Sequence, residues 1–133
     1  MKLISTAIPL AALFSAASAV NVRYGKLYTH WYESPSEVDC FRRIGSPLHG
    51  LTYFHDVKTW PFIGGSDTVN LIGVGCGSCW QISYEGKTVN ITAVDSTKDG
   101  FKISGKAMDA LTNDKKAILD ATATKIDKSY CGL

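Results

Sequence analysis

The chain has 133 residues, with 14 Lys and Arg against 12 Asp and Glu and a formal charge of +2 at neutral pH. No basic block stands out beyond Arg42-Arg43 and Lys115-Lys116, so binding to nucleic acid through a strongly basic surface is excluded. The length suits one domain with one modest core.

Residues 1–19, MKLISTAIPLAALFSAASA, place Lys2 before an apolar stretch and small residues at Ala17 and Ala19. This is the pattern of a secretion signal cleaved before Val20. The apolar run is short and alanine-rich for a bilayer span, and no second one follows. A secreted, extracellular product of residues 20–133, without membrane insertion, is the expectation.

Residues 21–28 are apolar-rich and strand-like, as are residues 71–74. Between them, residues 34–65 are rich in Pro, Gly, His and aromatics and read as loops, with a turn of helix near residues 35–41. Residues 79–84 alternate, with Trp80, Ile82 and Tyr84 on one side and Gln81 and Ser83 on the other. Glu85-Gly86 makes a tight turn, and residues 87–94 alternate again with Val89, Ile91 and Ala93 on one face. That is a hairpin with one buried side. Ser104 can cap a short helix whose apolar stripe is Ala107, Met108 and Leu111 and which ends at Asn113. Residues 117–119 and 121–128 return to weaker strand character before Cys131. Many short strands favour a β-barrel over a flat sandwich.

Four cysteines, Cys40, Cys76, Cys79 and Cys131, include the run Cys76-Gly77-Ser78-Cys79-Trp80. A zinc site would present two paired knuckles or histidines at finger spacing, and neither is present. A redox CxxC would precede a helix that lowers the thiol pKa, whereas a strand follows here. An even cysteine count behind a secretion signal points to two structural disulfides, each CxxC cysteine bonded to a distant partner. The pairing stays open at this point. Each closure of a few dozen residues contributes about 4 kcal/mol in the loop-entropy model.

Asp95-Ser96-Thr97-Lys98-Asp99-Gly100-Phe101 closes the best strand. A carboxylate at a strand end before polar residues and glycine suits a ligand-facing loop, with Asp95 accepting hydrogen bonds from a polar ligand such as a sugar. The competing reading is that Asp95 caps the turn through backbone N–H groups. Glycoside hydrolysis would need a second carboxylate, and Asp56, Asp67 and Asp99 are the candidates, none in a recognisable context. A serine elbow of the G-x-S-x-G type is absent, and His30, His49 and His55 read as loop histidines. Tyr24, Tyr28, Trp31, Tyr53 and Trp60 lie outside the best strands and serve either the core or sugar stacking. Asn90-Ile91-Thr92 is a glycosylation sequon on the polar face of its strand. No catalytic residue, metal ligand or cofactor is assigned.

The order of a cysteine after the first loop, Cys76-Gly77-Ser78-Cys79-Trp80, Val94-Asp95-Ser96, Gly100-Phe101, an Ala-x-x-x-Leu-Thr helix and a terminal Cys131 resembles the cerato-platanin family of small secreted fungal proteins. The resemblance runs from about Val22 to Leu133. It implies a mainly β fold, a six-stranded double-ψ barrel with one or two short helices, similar to the first domain of expansins. It also implies the disulfides Cys40–Cys76 and Cys79–Cys131. By likeness, a non-catalytic, monomeric protein is expected that binds chitin-type N-acetylglucosamine oligomers of cell walls and acts as an elicitor or immunomodulator, with a host receptor as a further partner. The sugar groove would comprise Tyr24, Asp95, Ser96, Gly100 and Phe101. Two positions depart from the family pattern, Gly25 where an aspartate is usual and Lys102 where an asparagine is usual. Fewer short hydrogen-bonding groups imply a weaker hold on sugars or a different sugar. The alternatives are an expansin-like wall-loosening or weakly hydrolysing protein using Asp95, and a surface recognised by host receptors without a sugar ligand.

Overall fold

The computed structural model describes residues 17–30, 38–70 and 72–133. Its strands are β1 (Ser18–Tyr24), β2 (Ile63–Ser66), β3 (Cys79–Tyr84), β4 (Lys87–Ser96), β5 (Phe101–Ile103) and β6 (Leu119–Ile126). They close into a barrel in the order β1-β5-β2-β4-β3-β6. The pairs β1/β5 and β2/β4 are parallel and the other neighbours antiparallel. Two short helices, α1 (Asp39–Arg42) and α2 (Gly105–Leu111), and two disulfides complete the mainly β, six-stranded double-ψ barrel that the resemblance implies.

The hairpin forms where the alternation places it. Tyr84 faces Lys87 across Glu85 and Gly86, which both take positive φ, as a tight two-residue hairpin turn requires. Val89, Ile91 and Ala93 are buried as expected, but so are Thr92 and Val94. The outer face of β4 is covered there because Val38, Phe41, Leu48 and Phe54 pack with Val94 in a second core outside the barrel. The barrel interior holds Val22, Ile82, Ile91, Phe101, Ile103 and Leu119, closed at one end by Met108 and Leu111 of α2. Ser104 caps α2, its Oγ accepting from the Ala107 N–H at 3.3 Å, and also donates to the Pro61 carbonyl. The helix stops at Leu111, just short of the expected Asn113.

Several boundaries differ from the sequence-based expectations. The first strand ends at Tyr24, and Lys26–Thr29 form a 3-10 turn. No strand forms over residues 72–74, and Leu71 lies outside the described residues. Asn70 Oδ1 instead accepts from the N–H groups of Ile72 and Val74, both at 3.0 Å, curling the backbone into a turn. This leaves Ile72 and Val74 77% and 60% exposed. The helical turn expected near residues 35–41 is α1, shifted toward Arg42, and residues 35–37 lie outside the described residues. The two segments expected before Cys131 form the single strand β6, followed by a 3-10 turn at Lys128–Cys131. β2 and β5 form from sequence that reads as loop. Residues 1–16 of the expected leader lie outside the described residues, as does Trp31.

The disulfide Cys40–Cys76 spans 36 residues and ties α1 to the turn before β3. Cys79–Cys131 spans 52 and ties β3 to the C-terminal turn. Both pairings are those the resemblance implies.

Candidate functional site

β4 runs two residues beyond its expected end, so Asp95 and Ser96 stand on the strand itself. Asp95 is held from three directions. Its Oδ2 accepts from the Tyr28 hydroxyl at 2.8 Å. Its Oδ1 accepts from the N–H of Ser96 at 2.9 Å and from the N–H of Asp39, at the start of α1, at 3.2 Å. Ser96 Oγ in turn donates to Asp39 Oδ2 at 2.9 Å, and Arg42 Nη2 meets Asp39 Oδ1 at 3.1 Å. A carboxylate has about four acceptor positions, so protein donors fill three of those on Asp95. Burial pushes the Asp95 carboxyl above the ordinary carboxylate range, against the pull of its hydrogen bonds from Tyr28, Asp39 and Ser96. Burial, and then the neighbouring Asp95 charge, push the Tyr28 phenol well above its usual value.

Beside this knot runs a groove of about 890 Å³, lined among others by Arg23, Tyr28, Asn70, Asp95, Lys98 and Lys102. Register explains its shape. Gly65 of β2 pairs with Asp95 on one side and Lys102 on the other, and Lys102 pairs with Arg23 of β1. One row across four strands therefore reads Asp95, Gly65, Lys102, Arg23. Gly65 lets Thr97 and Tyr28 pack close over this row, since a Cβ there would sit 2.7 Å from Thr97 Cγ2 and 2.9 Å from the Tyr28 hydroxyl.

Of the residues expected in the groove, the fold brings Asp95 and Ser96 together and places three elsewhere. Tyr24 packs onto the barrel core, its hydroxyl accepting from Thr29 Oγ1 at 3.3 Å, because it shares the inward face of β1 with Val22. The aromatic ring beside Asp95 belongs to Tyr28. Gly100, at φ +63°, makes the turn into β5, where a Cβ would lie 2.1 Å from the Asn21 carbonyl oxygen. It lines a neighbouring cavity with Asn21, Asp67 and Asp99. Phe101 is 1% exposed, edge-on to Trp80 at 5.4 Å, and shapes the loop from beneath.

None of the three candidate second carboxylates supports Asp95. Asp56 caps the N–H groups of Thr52 and Tyr53, Asp67 accepts from the Gly100 N–H, and Asp99 pairs with Arg23. The carboxylate beside Asp95 is Asp39, which the sequence reading missed, as it missed Tyr28 in this place. No short-range pattern links positions 56 and 67 residues apart. Asn90 is half-buried on β4 opposite Gln81 and lines a separate shallow groove with Trp60 and Phe62. Among the described residues no group of three His, Cys, Asp or Glu is placed to hold a metal, and no helix is long and apolar enough to cross a membrane.

The family model described as Cerato-platanin matches residues 20–133. The chain is 32% identical to "Allergen Asp f 15" of Aspergillus fumigatus over 119 residues, covering 86% of this chain and 78% of that protein. Among solved structures it is similar to cerato-platanin 3 from M. perniciosa, with 33% identity and a TM-score of 0.78 over 87% of this chain and all of that one. The solution structure of the fungal elicitor Cerato-Platanin shares the fold at a TM-score of 0.75 and 23% identity, over 84% of this chain and 96% of that one.

Proposed function

The chain belongs to the cerato-platanin family, and on that premise we propose that it is a secreted, non-catalytic fungal protein that binds cell-wall oligosaccharide in the groove beside Asp95 and acts as an elicitor or immunomodulator of host defence. One observation carries the binding part. Tyr28, Asp39, Asp95 and Ser96 are locked in one hydrogen-bonded knot at the wall of a preformed groove, which is how a rigid recognition surface is built. Kinship to a protein named as an elicitor and to one named as an allergen supports the host-facing part. N-acetylglucosamine tetramer, titrated against the protein and followed by amide NMR, should shift resonances of Tyr28, Ser96 and Lys102 saturably. Absence of saturable shifts there removes the groove from the function.

A second reading, weak glycan hydrolysis, is favoured by the nearness of Asp39 to Asp95 through Ser96. Two carboxylates in unlike surroundings are what an acid and base pair needs. Against it, Asp95 has three acceptor positions filled, and the Asp39 side chain is 17% exposed under Arg42. Release of reducing sugar from chitin or glucan, abolished by Asp39→Asn and by Asp95→Asn, would establish the enzyme reading in its place.

A further inference from the structure

The groove is lined by three cations, Arg23, Lys98 and Lys102, beside two carboxylates, Asp95 and Asp99. Arg23 of β1 and Lys102 of β5 are register partners, rooted one strand spacing, about 4.8 Å, apart. Both point outward, since Val22, Phe101 and Ile103 beside them are buried. Like charges directly opposite each other on neighbouring strands repel, and Lys98 adds a third cation to the same rim.

The carboxylates nearby neutralise this row only in part. Gly65 stands between Asp95 and Lys102, and Asp95 is occupied by Tyr28, Ser96 and Asp39. Asp39 lies behind Ser96 and is met by Arg42. Asp99 reaches Arg23 Nη2 at 3.5 Å while its Oδ2 also accepts from Asn21 Nδ2 at 3.1 Å. That ion pair is longer than the roughly 2.8 Å of a charge-assisted hydrogen bond. Among the described residues no carboxylate lies within ion-pair distance of Lys98 or Lys102. The Arg23 fork, the donor geometry best matched to a carboxylate, therefore keeps most of its donors uncommitted.

Sugar-directed groups flank the cations. Asn70 uses Oδ1 on the N–H groups of Ile72 and Val74, which leaves its Nδ2 to donate. Thr97 Oγ1 gives its proton to the Gly100 carbonyl and can accept another.

We propose that the groove takes a carboxylate-bearing saccharide, a uronic-acid oligomer, with the carboxylate gripped between Arg23 and Lys102 and the ring hydroxyls meeting Asn70 and Thr97. This rests on the reading of the groove as a saccharide site and names the class of saccharide. A neutral oligomer has no group for the cation pair, and an amine-bearing one is repelled by it.

The test is calorimetric titration of the disulfide-intact protein with tetragalacturonate, with N-acetylglucosamine tetramer and with a sulfated tetrasaccharide. Tetragalacturonate should bind at least about five-fold more tightly than the neutral tetramer at low salt, an advantage that shrinks as salt is added. Lys102→Asn and Arg23→Gln should each erode it, bringing the ratio of uronate to neutral affinity down toward one. Lys98→Gln, at an exposed position, gives a third variant that does not depend on the Arg23 site folding normally. Uronate binding no tighter than neutral overturns the inference and leaves the saccharide groove standing. Sulfated binding equal to uronate overturns the carboxylate class in favour of a general anion clamp. If no tetrasaccharide binds, the groove reading itself fails, and this inference with it.

Discussion

The Tyr28 hydroxyl donates to Asp95 Oδ2 at 2.8 Å across 67 residues of sequence, joining the turn after β1 to the end of β4. Removing the donor leaves a half-buried carboxylate short of one partner. Tyr28→Phe should therefore cost about 1–3 kcal/mol, read as a lower urea midpoint at an unchanged slope. It should also flatten the alkaline limb of the stability profile. The phenol titrates higher in the fold than in the unfolded chain, so its contribution is complete below about pH 10 and is lost as the pH rises beyond that. An unchanged midpoint would show that the bond contributes nothing.

Asp95 gives a pH signature of its own. Its carboxyl binds a proton more strongly in the fold than in the unfolded chain, chiefly through burial. The fold is thus favoured by this group below the ordinary aspartate range near about pH 3.9, and that advantage is lost as the pH rises through the raised value. Asp95→Asn keeps an oxygen for the N–H groups of Ser96 and Asp39 and removes the charge. Urea unfolding of both proteins between acid and neutral pH should show the variant gaining on the wild type as the pH rises. A difference that stays constant, or runs the other way, would contradict a destabilising charge at this position.

The two disulfides should divide their effects. Cys40–Cys76 fixes α1, whose first residue, Asp39, donates to Asp95. Cys79–Cys131 fixes the C-terminal turn to β3, away from the groove. Serine pairs at either bridge should each lose about 4 kcal/mol of stability. Saccharide affinity should fall with the Cys40 and Cys76 pair and hold with the Cys79 and Cys131 pair, measured at a temperature where both variants remain folded. Equal affinity losses would remove α1 from the organisation of the site.

Gly100 combines a positive φ with close approach to the Asn21 carbonyl. Gly100→Ala should cost about 2–4 kcal/mol through strain and clash at the entry to β5. Thermal melts in which this variant matches the wild type would refute that account.

The elements legible in the sequence are those in which local pattern and tertiary burial agree. The β3–β4 hairpin, the Ser104 cap and the cysteines carry their structure in residues close together. β2 is the opposite case. Ile63-Gly64-Gly65-Ser66 has neither alternation nor β-branched bulk beyond Ile63, yet it is fully buried because β4 and β5 impose pairing on both its edges. Residues 72–74 fail in the other direction, since the Asn70 side chain captures the backbone N–H groups that a strand would have paired. At the site, Asp95 could be singled out from its place after the best strand. Tyr28 and Asp39 could not, because only closure of the barrel and the Cys40–Cys76 bridge bring them to it. Lys102 departs from the family pattern in the sequence, but only the pairing of β5 with β1 sets it beside Arg23.

Among the described residues the closed ring β1-β5-β2-β4-β3-β6 leaves no strand with a wholly unpaired edge for another chain to extend. Attachment to a wall polymer, a receptor or a second copy through this barrel must then run through side chains. Where those contacts are the charged ones of the outer row, the attachment should be reversible and rinse away with salt.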